Sequence, residues 1–141
     1  MRTLILIKPD GVTRGLTGEV INRFERYGIR IVGLKMLQVD NKMAERLYSV
    51  HKGKPFFNDL IKHITSSPVV AIVLDVNLKS EETIKLVRKI TGSTNPLDAE
   101  MGSIRGDFGT YITANIVHAS DSEESANYEI PIFFDEKELV K

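Results

Sequence analysis

The chain has no cysteine, no excess charge and no long apolar run, and each absence excludes a class of protein. Without cysteine there can be no disulfide bond and no thiolate metal site. The 19 basic and 19 acidic side chains cancel, which predicts no dedicated nucleic-acid surface and requires any cationic site to be local. The apolar runs are too short to span a membrane, and no signal-type cleavage site follows the first of them. A soluble cytoplasmic protein is therefore expected.

The common short signatures of phosphate and zinc chemistry are also missing. The chain contains no G-x-x-x-x-G-K-[ST] loop, no protein-kinase signature set and no H-E-x-x-H pair. If phosphate is handled here, a different architecture must do it. The length of 141 residues and an ordinary globular composition predict a single domain over residues 1–141.

The hydrophobic pattern alternates between strand-like and helix-like segments. Strands are predicted over residues 3–8, 29–39, 68–75 and 111–117. Helices are predicted over residues 16–27, 80–90 and 122–130, with shorter ones after Asp40 and from Pro55. Pro9-Asp10-Gly11 is predicted to form a turn, residues 91–109 a long loop, and Ser120 with Glu123 a capping box. Without the short helices the order is β-α-β-β-α-β, which predicts a ferredoxin-like α/β fold (an α+β sandwich): an antiparallel sheet with helices packed on one face.

One histidine, His118, stands in a chemically suggestive context. It ends a strand-like run, and small residues and hydroxyls follow it before the next helix begins. Free backbone N–H groups and the helix dipole favour an anion at such a place, so the imidazole is well positioned to meet a phosphate. A nearby carboxylate, with Glu129 the downstream candidate, could hold one ring nitrogen and leave the other free as a nucleophile.

Several cations and donors could serve the same site, and each also has an ordinary structural interpretation. Lys8, at a strand end, either enters a cleft or is solvated. Arg88 lies late in a helix, where a cation also complements the dipole. Arg105 is flanked by glycines, which either allow close approach of a ligand or simply form turns. Thr94 either donates to a phosphate oxygen or belongs to a plain Asn-Pro turn.

The aromatic residues have the same two interpretations. Phe56 and Phe57 follow Pro55, where one could stack on a base or both could be core, and Tyr48 is similar. His51 and His63 have no chemical context in the sequence and are interpreted as structural or surface residues. The helix-start glutamates are interpreted as solvated charges: Glu81, Glu82, Glu123 and Glu124.

Taken together, the motifs resemble those of the nucleoside diphosphate kinase family over essentially the whole chain. The segments that carry the resemblance are Ile7 to Val12 with Arg14-Gly15, Pro55-Phe56-Phe57, Thr94-Asn95-Pro96, Ile104 to Phe108, Asn115 to Ser122 and Glu138-Leu139-Val140. The Asn115 to Ser122 segment matches the family signature N-x-x-H-[GA]-S-D. The resemblance favours the site interpretation over the structural one for Lys8, Tyr48, Phe56, Arg88, Thr94 and Arg105.

The resemblance implies a Mg²⁺-dependent, two-step exchange between nucleotides. His118 would take the γ-phosphoryl group of a nucleoside triphosphate on Nδ1 and pass it to a nucleoside diphosphate. Glu129 would hydrogen-bond the opposite ring nitrogen, and Ser120 would support Glu129. Substrates would include ATP, GTP, ADP and GDP, with every base tolerated.

The remaining site residues are also implied by the resemblance. Lys8 and Asn115 would approach the ribose 3′-hydroxyl. Arg88, Thr94 and Arg105 would hold phosphate oxygens. Tyr48 would lie near the transferring group, and the base would stack between Phe56 and Ile112. The Mg²⁺ ion would be held mainly by phosphates and water, with Asp121 contacting it through water.

Two departures from the family pattern stand out. The segment Val76 to Glu82 is longer than in common members, so Arg88 is identified by its distance from Thr94-Asn95-Pro96. The chain ends at Lys141 and lacks the C-terminal extension of longer members. Hexamers and tetramers both occur in the family, and the loop around Pro96 resembles the one used in hexamers, so a homo-hexamer is expected. The alternatives to an enzyme are a module that binds nucleotide without turnover and a structural protein.

Overall fold

Two apolar runs form the centre of a four-stranded antiparallel sheet. In the computed structural model, which describes all 141 residues, these are β1 (Arg2–Ile7) and β3 (Val69–Asp75). Strand β2 (Arg30–Leu37) pairs with β3, and β4 (Val117–Ala119) pairs with β1, which gives the order β2-β3-β1-β4. This topology confirms the predicted ferredoxin-like arrangement.

Seven α-helices connect and cover the strands. They are α1 (Pro9–Thr13), α2 (Thr17–Glu25), α3 (Asn41–Leu47), α4 (Phe57–Ile64), α5 (Ser80–Thr91), α6 (Ile104–Phe108) and α7 (Glu123–Phe133). Side-chain caps start several of them: Asp40 accepts the backbone N–H of Met43 at α3, as predicted. Gly92, at φ 87°, ends α5 in a conformation that favours glycine.

Helices cover both faces of the sheet, so the prediction that they lie on one face was wrong. Leu4 and Leu6 of β1 face a core shared with α3, α4 and α7. Ile5 and Ile7 face a second core shared with α2, α5 and α6. Successive residues of a strand point to opposite faces, so a run without polar interruption must be buried on both sides.

Other local predictions also require correction. The predicted strand 111–117 is wrong, because only Val117–Ala119 pairs with β1 and Tyr111 and Ile112 are exposed. The predicted loop 91–109 contains a 3₁₀ helix at Pro96–Asp98 and the helix α6. Local hydrogen bonds, rather than any hydrophobic period, form these short helices.

The starts of three helices, α1, α4 and α7, differ from the prediction because of the prolines and hydroxyls near them. Pro9-Asp10-Gly11 begins a helix, with proline at the first position, where its missing N–H costs nothing. Pro55 precedes α4 instead of lying in its first turn. Ser122, not Ser120, caps α7 by accepting the N–H of Ser125. These changes leave the hydroxyl of Ser120 for another partner.

None of the helices combines the length and the apolar character needed to cross a bilayer. The cytoplasmic location stays a prediction.

Candidate active site

A cleft of about 720 Å³ brings the predicted site residues together. It is lined by all of them except Glu129: Lys8, Tyr48, Phe56, Arg88, Thr94, Arg105, Ile112, Asn115, His118, Ser120 and Asp121. These residues come from six different parts of the chain. Their convergence depends on the pairing of β4 with β1 and on the packing of α5 and α6 beside that pair.

His118 lies on β4 opposite Leu6, with its side chain partly buried. Its Nε2 atom is 2.8 Å from Oε1 of Glu129, and the hydroxyl of Ser120 donates to the same oxygen at 2.8 Å. An ionised carboxylate can only accept hydrogen bonds, so this contact assigns the proton to Nε2 and leaves the lone pair on Nδ1. Nδ1 makes no hydrogen bond within the protein, and the ring meets that of Tyr48 edge-on at 6.4 Å. Nδ1 is therefore the ring nitrogen that is free to meet a ligand in the cleft.

The chain enters β4 through a strained turn at Ile116. This buried, β-branched residue has φ +74°, and the N–H of Val117 donates to the carbonyl of Asn115 at 2.8 Å. A positive φ together with this hydrogen bond across a single residue is typical of the rare, strained γ-turn. The backbone N–H of Lys8 donates to the Ile116 carbonyl at 2.8 Å, which ties the turn to the end of β1.

Lys8 and Asn115 form the next layer of the site. Lys8 is 5% exposed, and its Nζ atom donates to Oδ1 of Asn115 at 2.9 Å. The amide of Asn115 in turn donates to the carbonyl of Thr94 at 2.9 Å. Burial lowers the pKa of Lys8 to about 8, and the charge of Arg105 acts in the same direction while that of Asp10 opposes it. The lysine is still cationic at neutral pH.

Arg105 is buried without a carboxylate partner. Its guanidinium donates to three backbone carbonyls: those of Gly92 at 2.8 Å, Asn115 at 3.2 Å and Val117 at 2.6 Å. Burial lowers its pKa to about 10, and the neighbouring charge of Arg88 adds to that effect. Arg88 itself reaches Oγ1 of Thr94 at 3.4 Å. Two neighbouring cations without an acidic partner favour the binding of an anion.

An aromatic group forms the outer wall of the cleft. The ring of Phe56 is 45% exposed and meets His51 edge-on at 5.2 Å, while Nζ of Lys54 lies 5.8 Å from the Phe56 centroid. Ile112 is also exposed in this cleft. Burial raises the pKa of Tyr48, and the charges of Glu129 and Asp10 raise it further, so its hydroxyl stays protonated.

His51 is a cleft residue that the sequence analysis missed. Its ring lies 6.3 Å from that of Tyr48, between the tyrosine and Phe56. Burial lowers its pKa, and the charge of Lys54 lowers it further. The sequence signal was its position three residues after Tyr48 and five before Phe56. Phe57, by contrast, packs against the core.

The donor groups of the cleft fit a metal ion that arrives with phosphates. No cluster of three or more histidine, aspartate or glutamate side chains forms a metal cage. Asp121 is the carboxylate on the cleft wall, and its Oδ1 accepts a hydrogen bond of 2.7 Å from Ser125. A single exposed carboxylate suits Mg²⁺, which commonly keeps several waters and takes its other ligands from substrate phosphates.

Comparison with known proteins identifies the family. The family model described as nucleoside diphosphate kinase matches residues 1–139. The chain is 52% identical to the nucleoside diphosphate kinase of Sulfurisphaera tokodaii over 139 residues, which cover 99% of this chain and 92% of that protein. It is also 52% identical to that of Archaeoglobus fulgidus over 139 residues, which cover 99% of this chain and 89% of that one.

Solved structures give the same result. A halophilic nucleoside diphosphate kinase from Halobacterium salinarum, solved in complex with CDP, is 40% identical with a TM-score of 0.93 and covers 100% of this chain and 91% of its own. The Aquifex aeolicus nucleoside diphosphate kinase is 42% identical with a TM-score of 0.93 and covers 99% of this chain and 98% of its own. Because sequence and fold agree over nearly the full length, this chain belongs to the nucleoside diphosphate kinase family, and its activity is the transfer of phosphoryl groups between nucleotides.

Proposed function

We propose that His118 carries the phosphoryl group between nucleotides in a ping-pong reaction. The lone pair on Nδ1 attacks the γ-phosphorus of a nucleoside triphosphate, an N–P bond forms, and the bond to the β–γ bridging oxygen breaks to release the diphosphate. A terminal oxygen of a second nucleoside diphosphate then attacks the phosphohistidine and reverses these steps. The observation that carries the proposal is the bond of 2.8 Å from Nε2 to Glu129, which leaves Nδ1 unprotonated in the cleft.

Glu129 offsets the positive charge that the imidazole gains when Nδ1 bonds to phosphorus. The hydroxyl of Ser120 keeps the carboxylate in place, since it donates to the same oxygen. Glu129 is buried and does not line the cleft, so it acts through the imidazole rather than on the substrate.

The cationic side chains of the cleft stabilise the phosphates during transfer. The transition state spreads negative charge over oxygens, and fixed cations and donors supply most of the stabilisation. Arg88, Arg105 and Thr94 are the groups we assign to the phosphate oxygens, with Tyr48 near the transferring group. Lys8 and Asn115 are assigned to the ribose 3′-hydroxyl, where their mutual hydrogen bond fixes both.

The base is placed between Phe56 and Ile112. Both side chains are exposed in the cleft and offer apolar surface rather than base-edge hydrogen bonds. Stacking accepts any base, because every base has a π-face. ATP, GTP, ADP, GDP and pyrimidine nucleotides are therefore all proposed as substrates.

Mg²⁺ is the proposed cofactor, bound with the nucleotide. It neutralises charge on the terminal phosphates when bound. Asp121 is the side chain we assign to it, through an intervening water.

We also propose that the 141 residues form one domain that assembles into a homo-hexamer. Leu97 and Met101, beside Pro96, are 82% and 92% exposed, and Leu34 and Met36 on the edge strand β2 are exposed too. Such exposed apolar side chains favour burial in an interface, and the resemblance of the Pro96 loop to the one used in hexamers favours six subunits. Sedimentation velocity on wild type and Met101→Lys tests this: a hexamer that the variant dissociates supports the proposal, and a wild-type tetramer contradicts it.

The reaction is tested with Mg²⁺, γ-labelled ATP and no acceptor. Wild type should acquire an acid-labile, alkali-stable label and pass it to added GDP or CDP, whereas folded His118→Asn should acquire none. If ATP binds and no label forms on folded wild type, the protein holds nucleotide without turnover. If nucleotide fails to raise the melting temperature at all, the cleft is not a nucleotide site.

A further inference from the structure

Asp10 connects the strained turn at Ile116 to helix α4. Its Oδ2 atom accepts the backbone N–H of Ile116 at 2.9 Å, and its Oδ1 atom lies 3.0 Å from Nε2 of His63. Neither Asp10 nor His63 lines the nucleotide cleft. The carboxylate therefore supports the site from behind, with both of its oxygens engaged.

The turn needs such support because its conformation is unfavourable for isoleucine. A buried, β-branched residue at φ +74° persists only where its surroundings fix it. The Ile116 carbonyl is held by the N–H of Lys8, and its N–H is held by Asp10 alone. Gly11 makes room for the turn, because a Cβ there would lie 3.0 Å from the Ile116 oxygen.

The residues on either side of the turn are those assigned to the reaction. Asn115 immediately precedes Ile116 and holds Nζ of Lys8, and His118 follows two residues later. Arg105 donates to the carbonyls of both Asn115 and Val117, so it spans the same turn. A relaxed turn would move the nucleophile relative to the cations around it.

Asp10 is a strong acceptor for this purpose. Burial raises its pKa, but the hydrogen bonds from His63 and Ile116 and the charge of Lys8 together hold the pKa below its usual value. The carboxylate is therefore ionised at neutral pH, and a hydrogen bond to an ionised acceptor is stronger than one between neutral groups.

We propose that Asp10, oriented by His63, is a positioning residue that holds the Ile116 turn and thereby places Asn115 and His118 for phosphoryl transfer. This inference rests on the proposed function of His118. It assigns Asp10 no contact with the substrate.

Two substitutions of Asp10 separate the hydrogen bond from the charge. Asp10→Ala removes both, whereas Asp10→Asn keeps an oxygen that can accept the Ile116 N–H. The rate of His118 phosphorylation at saturating ATP should fall about 30-fold in Asp10→Ala, because small displacements of a reacting group are costly, and about threefold or less in Asp10→Asn. The dissociation constant for ATP should rise less than the rate falls, since Asn115 moves with the turn while Arg88 and Phe56 are held elsewhere.

Asp40→Ala is the matched control. It also removes a carboxylate that accepts a backbone N–H, that of Met43 at 2.8 Å, but at the start of α3 and outside the cleft. It should lower the melting temperature without lowering the phosphorylation rate. His63→Phe keeps a ring and removes the donor to Asp10, and it should give a loss between those of Asp10→Asn and Asp10→Ala.

A direct readout of the turn is the Ile116 amide in ¹⁵N-labelled protein. Its proton should resonate far downfield in wild type and Asp10→Asn and move upfield, with faster hydrogen exchange, in Asp10→Ala. The signal reports the proposed contact even if the Ala variant is much less stable.

The outcomes separate this inference from the proposed function. If wild type forms no phosphohistidine, the proposed function fails first. If wild type is labelled and Asp10→Ala is labelled equally fast, the positioning role is wrong. Equal losses in Asp10→Asn and Asp10→Ala also overturn it, because the effect would then come from the charge beside Lys8. Rescue by asparagine together with the retained Ile116 signal supports it.

Discussion

Nζ of Lys8 donates a hydrogen bond of 2.9 Å to Asn115, a residue 107 positions further along the chain. The bond orients both side chains toward the cleft, but it also keeps an ammonium group in a place with little water. A buried cation with no carboxylate in contact lowers stability, and it is available to a substrate.

Activity and stability should respond to alkaline pH in opposite directions. The pKa of Lys8 is lowered from 10.5 to about 8 in the folded protein, so the lysine loses its charge as pH rises through about 8. kcat/KM, which reports the free enzyme, should fall there. Between about 8 and 10.5 the unfolded chain binds the extra proton, so this residue makes the free energy of unfolding rise with pH. Urea titrations and kinetics from pH 6.5 to about 9.5 measure both, and identical profiles in Lys8→Met would contradict the assignment to Lys8.

Lys8→Met should be more stable than wild type at pH 7 and nearly inactive. The lowered pKa corresponds to about 3 kcal/mol of destabilisation, since one pKa unit is worth about 1.4 kcal/mol. Loss of the hydrogen bond to Asn115 lowers the free energy of unfolding by about 1 kcal/mol. The net effect of Lys8→Met is therefore an increase of about 2 kcal/mol in the free energy of unfolding. Chemical denaturation measures it, and a variant less stable than wild type would show that the lysine is better compensated than its contacts indicate.

Glu129→Gln should slow phosphorylation of His118 without weakening nucleotide binding. Glutamine keeps the size and one acceptor oxygen, but it cannot offset the charge of the imidazole. Loss of a charged hydrogen bond is worth about 1.5–3 kcal/mol, which corresponds to a rate lower by about 10- to 150-fold. Ser120→Ala removes only the second donor to Glu129 and should cost less. Rapid-quench kinetics measure the rate, and a Glu129→Gln rate within twofold of wild type would contradict the role.

Arg105→Lys should weaken nucleotide binding and the fold together. An ammonium group cannot reach all three carbonyls that the guanidinium holds, so at least one would be left without a donor. We expect ATP affinity to fall about tenfold or more and the free energy of unfolding to fall by about 1–3 kcal/mol. Arg14→Lys is the control, because Arg14 also donates to a carbonyl, that of Phe108, but on the surface. Calorimetry and thermal melts test both, and equal effects of the two changes would refute the prediction.

Gly11→Ala should destabilise the protein, whereas Gly18→Ala should not. A Cβ at Gly11 would lie 2.8 Å from the side chain of Ile7 and 3.0 Å from the Ile116 oxygen, a clash we expect to cost about 1–3 kcal/mol. A Cβ at Gly18, within α2, would meet nothing within 4 Å, and alanine there should add about 0.5–1 kcal/mol. Denaturant midpoints decide between them, and a neutral Gly11→Ala would mean that the Ile116 turn adjusts freely.

The sequence predicted the fold where a single physical pattern governed a segment. The apolar runs at β1 and β3 and the periodic helices α2 and α5 were found within a few residues. The strand predicted over residues 111–117 was wrong because Tyr111 and Ile112 are exposed and only Val117 of the segment pairs with a neighbouring strand. Helix α6 was not predicted because no apolar periodicity marks it. It begins at a serine cap, in which Ser103 accepts the N–H of Gly106.

The site was predictable in part for a related reason. The context of His118 is local, so the residues around it were enough to make the imidazole the leading candidate. The bond between Lys8 and Asn115 depends on strand pairing, which no local pattern encodes. The family resemblance predicted only that both residues approach the ribose 3′-hydroxyl, and the bond itself was not predicted. His63 was interpreted as an ordinary residue because its partner Asp10 becomes a neighbour only through the fold. His51 was missed although Tyr48 and Phe56 lie close to it in the sequence.

Strand β4 is three residues long and pairs on one side only, with His118 opposite Leu6. Slippage of that pairing by one residue would turn the imidazole to the opposite face of the sheet, toward the layer of α2 and α5. A change of chain length that shifts this pairing by one residue should abolish activity while leaving most of the core intact. Asn77, Leu78 and Lys79, just before α5, are exposed and do not line the cleft, so changes in chain length there should cost little.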